Sequence, residues 1–151
     1  MNDFVDKCSD VHADMISICM EYVENRADKV YVIASCEESV ISGSFFFRIH
    51  NRYVECHKVN DALEDSEKRY DVSSDRMFKV LDGLCEDIDR MKELCKEYHQ
   101  DMPTQMKLIY DVGSGKLRAE YQYELVYTHD DMKTANHIAD EWFEEIQSKS
   151  L

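Results

Sequence analysis

Hydrophobic residues near the start of the chain recur at steps of three and four, which is the spacing of one face of an α-helix. The series begins at Phe4 and ends at Tyr22, and most acidic side chains of this stretch fall between its members. The pattern predicts an amphipathic first helix.

After Asp28 the pattern becomes that of β-strands. Residues 30–34 form a short run of β-branched and aromatic side chains, and residues 41–49 place aromatic and aliphatic side chains on alternate positions. A polar break precedes residues 53–58, which predicts a third strand and therefore a meander. Residues 60–74 are polar and acidic, and they predict a loop.

The longest helical pattern follows this loop. Ser73, Ser74 or Asp75 can cap its start, because short polar side chains accept hydrogen bonds from the first free amides of a helix. Its apolar stripe keeps helical spacing over six turns and consists of Met77, Leu81, Leu84, Ile88, Met91, Cys95 and Tyr98. We expect a helix from Ser74 to Gln100 that lies centrally across one face of a sheet.

The last third of the chain predicts two more strands and a final helix. Pro103 ends the helical region, and two alternating stretches then flank Gly113 and Gly115, which suit a turn. They predict a β-hairpin with one solvated face. Thr128 or Asp130 can begin the last helix, whose buried side would consist of Met132, Ala135, Ile138 or Ala139, Trp142, Phe143 and Ile146.

These elements follow one another in the order α-β-β-β-α-β-β-α. The order predicts an α+β domain over residues 1–151, with a mainly antiparallel five-stranded sheet and helices packed on it. One proline, four glycines and the lack of any repeat indicate a single continuous domain.

The chain is strongly acidic. Its 151 residues include 32 acidic and 18 basic side chains, for a net charge of −14. Such a surface repels phosphate backbones and anionic lipid, which argues against direct binding of nucleic acid or a membrane. No window approaches the ~18 apolar residues of a membrane span, and the N-terminus does not have the pattern of a signal peptide. We therefore expect a cytoplasmic protein with reduced cysteines.

Motifs for catalysis are weak. The cysteines fall mainly on apolar stripes, where burial makes a thiol inert, and no pair of carboxylates has an apolar setting. Residues 113–116 contain some letters of a phosphate loop, but the first glycine and the following helix are missing. The histidines have no third ligand at a known metal spacing. The sequence predicts no enzyme, no cofactor and no metal site.

The acidic excess is unevenly distributed. Residues 1–25, 59–75 and 120–145 hold 20 of the 32 acidic side chains and four of the 18 basic ones. Complementary charge speeds association and favours the right partner, so these stretches suit a basic protein. A highly soluble surface with no partner is the alternative interpretation.

Several segments resemble the YezG-like immunity proteins. These are Lys29-Val30-Tyr31, Gly43 to Phe47, Pro103 to Leu108, Gly115-Lys116-Leu117 and Tyr121 to Glu124. The resemblance covers residues 1–125, and Glu141-Trp142-Phe143 is similar to the aromatic ending of some members. It implies a cytoplasmic antitoxin that binds and blocks a bacterial toxin, commonly a nuclease delivered by secretion or contact, without catalysis.

A different class of protein shares the size, charge and element order. Type III secretion chaperones are acidic homodimers that hold an unfolded effector segment on exposed apolar patches. Such patches would separate the two classes, since a nuclease inhibitor can rely on charge.

For the immunity function, we expect the toxin contacts to be acidic side chains that pair with its Lys or Arg. The candidates are Asp130, Asp131, Asp140, Glu144 and Glu145 from the last helix, then Asp61, Glu64 and Asp65 from the loop. A homodimer stays open, because an unpaired sheet edge invites another strand and the sequence does not indicate which strand is the edge.

Overall fold

The computed structural model describes residues 3–128 and 133–151. The elements follow the predicted order, with a short 3-10 helix after the third strand. They are α1 (Asp3–Tyr22), β1 (Lys29–Glu37), β2 (Val40–Ile49), β3 (Arg52–Glu55), the 3-10 helix (Cys56–Ala62), α2 (Ser74–Glu97), β4 (Gln105–Asp111), β5 (Lys116–Gln122) and α3 (Ala135–Lys149).

The strands form one five-stranded sheet in the order β3-β2-β1-β4-β5. Every neighbouring pair is antiparallel, and β1 lies at the centre with Val32 opposite Phe45 of β2 and Leu108 of β4. The predicted α+β class with an antiparallel sheet is confirmed. β3 and β5 are the two edges.

Helices cover both faces of the sheet. α1 and α2 pack on one face, over a core that includes Val30, Val32 and Phe47. α3 packs on the other face, over Tyr31 and Ile33. Because neighbouring residues of β1 point to opposite faces and both are covered, residues 30–34 of this strand form a continuous apolar run.

α1 and α2 run antiparallel. The ring of Phe4 near the start of α1 lies 5.5 Å from that of Tyr98 just past the end of α2. At the other end, Nη2 of Arg76 donates to the carbonyl of Glu21 over 3.0 Å. The side chain of Ser73 accepts from the Arg76 amide, so the predicted cap of α2 is confirmed. α2 ends at Glu97, three residues before its predicted end.

The predicted start of the last helix, at Thr128 or Asp130, is wrong. α3 begins at Ala135, and the side chain of Thr134 accepts from the amide of His137 over 3.3 Å. The amide of Thr128 is used elsewhere, since it donates to the buried carboxylate of Glu37. The buried side of α3 includes Trp142, as predicted, whereas Asp130 and Met132 lie outside the described residues.

The third strand is shorter than predicted. It ends at Glu55, and residues 56–62 form the 3-10 helix, which takes in the first residues of the predicted loop. Helical spacing brings both Val59 and Ala62 into the core, which the alternation of a strand would not allow. Asn60 then fixes the rest of the loop, because its side chain bonds both backbone groups of Tyr70.

The hairpin of β4 and β5 differs from expectation in its exposure. Gly115 has the positive φ of 70° that the turn requires. All seven residues of β5 are exposed, including those on the face expected to be covered. The reason is its place at the edge of the sheet, where α1 covers that face only in part: the hydroxyl of Tyr121 lies 2.7 Å from Nε2 of His12, and Tyr121 stays 38% exposed.

Candidate functional site

An open groove of about 560 Å³ runs between the edge strand β3 and helix α3. Its apolar part comes from Tyr53 and Val54 of β3 and from Phe143 of α3. The ring of Phe143 also packs edge-on against Phe46 of β2, with 5.0 Å between centroids. The sheet therefore fixes one wall of this groove, which we call the α3–β3 groove.

Two of the predicted contact residues follow the face of α3 next to this groove. Asp140 and Glu144 are exposed and one turn apart. Gln147, which lines the groove, is one further turn along the same side of the helix. Glu145 is also exposed, and its carboxylate forms an ion pair with Lys149 over 3.3 Å. Asp140 and Glu144 pair with no basic side chain of the described residues.

The loop candidates divide into two groups. Asp61 lines the α3–β3 groove, and its carbonyl accepts from Nη1 of Arg52 over 3.2 Å. Glu64 and Asp65 are exposed beyond the 3-10 helix and are not part of the groove lining. The fold thus places Asp61 at the same groove as α3. The candidates Asp130 and Asp131 lie outside the described residues.

The chemistry of the α3–β3 groove suits a protein partner. Arg52 and Lys58 offset the charge of Glu55 and Asp61 in its lining, so the negative excess comes from the exposed α3 carboxylates at its side. Protein interfaces commonly combine an aromatic centre with a polar rim. The groove has both parts.

A second acidic surface joins the predicted acidic stretch at the N-terminus to a stripe on α2 that was not predicted. Two antiparallel stripes of exposed carboxylates follow α1 and α2, and Lys7 and Arg90 are the basic residues that line the groove of about 390 Å³ between them. The stripes consist of Asp3, Asp6, Asp10 and Asp14 on α1, and of Asp82, Glu86, Asp89, Glu93 and Glu97 on α2. Their steps of three and four are visible in the sequence, but the α2 stripe lies outside the three stretches in which the acidic excess is concentrated.

A carboxyl group is buried where α1 and α2 meet. Oδ1 of Asp87 accepts from Nη1 of Arg90 over 2.7 Å, and the same nitrogen lies 3.7 Å from Oδ2 of Asp14. Burial and the adjacent Asp14 carboxyl raise the pKa of Asp87 well above its ordinary value, against the opposing effect of Arg90. The helical pattern did not predict this residue, because it treats Asp87 as polar and exposed.

A second buried carboxylate anchors the segment before α3. Glu37 is 1% exposed, and it accepts hydrogen bonds from the amides of Val126, Tyr127 and Thr128. Burial alone raises the pKa of Glu37, but these bonds outweigh it and hold the pKa below its ordinary value. The carboxylate has a structural role.

The six cysteines are all free, and four of them are buried. Burial raises the pKa of each thiol, to about 11 for Cys56. Thiols of this kind stay protonated at neutral pH, and the thiolate is the reactive form. Within residues 3–128 and 133–151, no group of three or more His, Cys, Asp or Glu side chains has the arrangement of a metal site. The helices of that part of the chain include none long and apolar enough to span a membrane.

Comparison with known families bears on the two classes that the sequence left open. The model of the YezG-like immunity proteins matches residues 9–148, which is nearly the whole chain. The chain belongs to the YezG-like immunity protein family. A search of curated proteins finds no match. Membership of this family favours the immunity class over the secretion-chaperone alternative.

Proposed function

We propose that this YezG-like protein binds and neutralises a cognate bacterial toxin, and that the toxin is a nuclease delivered by secretion or by cell contact. Family membership supports the immunity role. The net charge of −14 supports a nuclease target, because enzymes that bind nucleic acid present basic surfaces to it. The protein would act in the cytoplasm of the producing cell, by binding and without catalysis.

The observation that carries the proposed contact is the α3–β3 groove with its adjacent carboxylates. Phe143 and Tyr53 offer aromatic surface for the centre of an interface, and Asp140 and Glu144 offer charges that no described residue neutralises. Lys and Arg of the toxin would pair with these carboxylates and with Asp61. Bound there, the protein would cover the active site of the toxin or a surface that the toxin needs.

Charge reversal tests this contact. The double variant Asp140→Lys and Glu144→Lys should slow association with the toxin at low salt and reduce protection, because steering depends on complementary charge. Both side chains are exposed, so stability should change little. The measurement is the association rate by surface plasmon resonance at several ionic strengths.

The matched control is Asp10→Lys with Glu93→Lys, which makes the same charge change beside the groove of α1 and α2. We expect the control to slow association much less than the α3 variant. If instead the control abolishes binding and the α3 variant does not, the contact lies on the face of α1 and α2. If neither variant alters the rate, electrostatic recognition by these surfaces is wrong.

A further inference from the structure

The outer edge of β5 is open for pairing. β5 ends the sheet, and no other strand of the described chain lies beyond it. It is seven residues long and exposed throughout, whereas the opposite edge β3 has four residues. An exposed strand of this length is a template for another strand.

The exposed face of β5 is also apolar. Ala119 and Tyr121 lie opposite Leu108 and Met106 of β4, so they point to the side of α1 and α2, where the hydroxyl of Tyr121 shares a hydrogen bond of 2.7 Å with Nε2 of His12. Leu117 and Tyr121 remain 38% exposed, and Tyr123 and Leu125 just beyond the strand are exposed by 56% and 44%. These four are half of the eight exposed large hydrophobic residues among those described.

The sequence of β5 complements itself. When two copies pair antiparallel about a two-fold axis through Ala119, all seven residues find a partner. Arg118 then lies opposite Glu120 of the second copy, and Leu117 lies opposite Tyr121. Directly opposite residues interact, and opposite charges in that position are favourable. Within one copy, Arg118 and Glu120 already form an exposed ion pair of 2.7 Å.

Neighbouring registers do not share this property. If the helices of both copies stay on corresponding faces, the two strands can slide past each other only in steps of two residues, because an odd step would set side chains of opposite faces against each other. A slide of two residues moves the two-fold axis by one residue. An axis at Arg118 would place two arginines opposite each other, and an axis at Glu120 would place two glutamates opposite each other. Both registers also leave strand ends unpaired. Charge therefore selects the register centred on Ala119.

From this complementarity we propose that β5 is a dimerisation edge, at which a second copy of the chain adds its own β5. The result is one ten-stranded antiparallel sheet with a two-fold axis at Ala119. β3 and the α3–β3 groove lie at the other edge of the sheet, so the dimer leaves that groove accessible. The proposal does not rest on the identity of the toxin.

Single charge reversals and their combination test the proposal by sedimentation equilibrium at high micromolar concentration, without toxin. The wild type should be dimeric. Arg118→Glu places glutamates opposite each other at two positions and should weaken dimerisation by about tenfold or more. The double variant Arg118→Glu with Glu120→Arg restores opposite charges and should restore the dimer. The matched control, Arg52→Glu on the other edge strand, should remain dimeric.

A cysteine at the two-fold axis tests the register. In the proposed dimer the two Ala119 Cα atoms face each other at the separation of an antiparallel pair, about 4.5–5.5 Å, which a disulfide can span. Ala119→Cys should therefore cross-link to a covalent dimer under mild oxidation, and Ser114→Cys in the exposed turn should not. Circular dichroism melting checks that each variant is folded.

Several results would overturn the proposal. One is a wild type that stays monomeric, and another is a dimer that Arg118→Glu leaves intact. A cross-link at Ser114→Cys without one at Ala119→Cys would exclude the register. If Arg118→Glu leaves the oligomeric state unchanged but, in a separate titration, no longer binds the toxin, then β5 is the edge that binds the toxin.

Discussion

At the scale of single residues, the buried carboxylate of Glu37 shows how one side chain positions a distant helix. Its two oxygens accept three consecutive amides of the segment that leads to α3. A charged acceptor strengthens each bond, and removal of the charge leaves buried amides poorly paired. Glu37 therefore holds the approach to α3 at the end of β1.

We expect Glu37→Gln to lower the free energy of unfolding by about 1.5–3 kcal/mol, the range for hydrogen bonds to charged groups. Because the pKa of Glu37 is lower in the folded state, the wild type keeps this stabilisation above the ordinary pKa of 4.5 and loses it as the pH falls below that value. Urea unfolding at several pH values measures both effects. The exposed Glu21→Gln is the control, and an equal loss in the two variants would refute the anchoring role.

The pH dependence that we expect from Asp87 is the opposite of that from Glu37. The pKa of Asp87 is higher in the folded state, so its contribution to the free energy of unfolding is present at low pH and is lost as the pH rises from 3.8 towards about 7. Asn has the shape of the protonated carboxyl group, can donate to Asp14 and can accept from Arg90. Asp87→Asn should therefore flatten the pH dependence of unfolding in that window and stabilise the protein at pH 8.

The test for Asp87 compares urea unfolding curves from pH 5 to pH 8 for the wild type, Asp87→Asn and the exposed Asp89→Asn. The buried His12 must be considered, because burial lowers its pKa and gives stability the opposite slope. Only the difference between the wild type and Asp87→Asn isolates the carboxyl group. A variant that keeps the pH slope of the wild type would show that Asp87 is ionised in the fold.

At the scale of elements, α3 depends on one aromatic side chain. The ring centroid of Trp142 lies 5.2 Å from that of Phe46 and 6.1 Å from that of Tyr31, and the tryptophan is 5% exposed. Ile138 and Ile146 complete the same small core. α3 thus binds the sheet through a narrow apolar stripe, separate from the larger core under α1 and α2.

We predict that Trp142→Ala lowers the free energy of unfolding by about 3–5 kcal/mol, the usual cost of removing a large aromatic side chain from a core. Hydrogen exchange should accelerate in α3 and in the face of β2 that contains Phe46, while α1 and α2 keep their protection. Phe78→Ala is a control on an aromatic residue that is 60% exposed. Uniform acceleration over the whole protein would contradict a separate α3 layer.

The elements were largely predictable from the sequence, because long periodic patterns indicate α1, β2 and α2. The wrong bounds of β3 and α3 have the same cause, which is a tertiary contact that local patterns do not contain. β3 gives way to a helical turn so that Val59 reaches the core, and the amide of Thr128 bonds Glu37 before α3 begins. No local pattern contains either contact. The candidate site was predictable as charge on α3, but its groove was not, because residues from β3 and the 3-10 helix complete it.

At the scale of the whole molecule, the fold positions the proposed contact surfaces and the negative charge attracts partners to them. The sheet positions the α3–β3 groove at one edge and the self-complementary strand β5 at the other. The charge of −14 creates a field that attracts basic partners before contact. We therefore expect the association rate with the toxin to fall steeply between low and physiological salt, with a smaller change in dissociation.

The proposed function of this YezG-like protein is to neutralise a toxin by binding it. A calorimetric titration of the purified protein into the folded nuclease domain of a candidate cognate toxin tests this function, with nuclease activity followed in parallel. We expect saturable binding with one chain per toxin domain and loss of nuclease activity at the same ratio. Binding to an unfolded segment with no effect on a nuclease, or no binding at all, would contradict it.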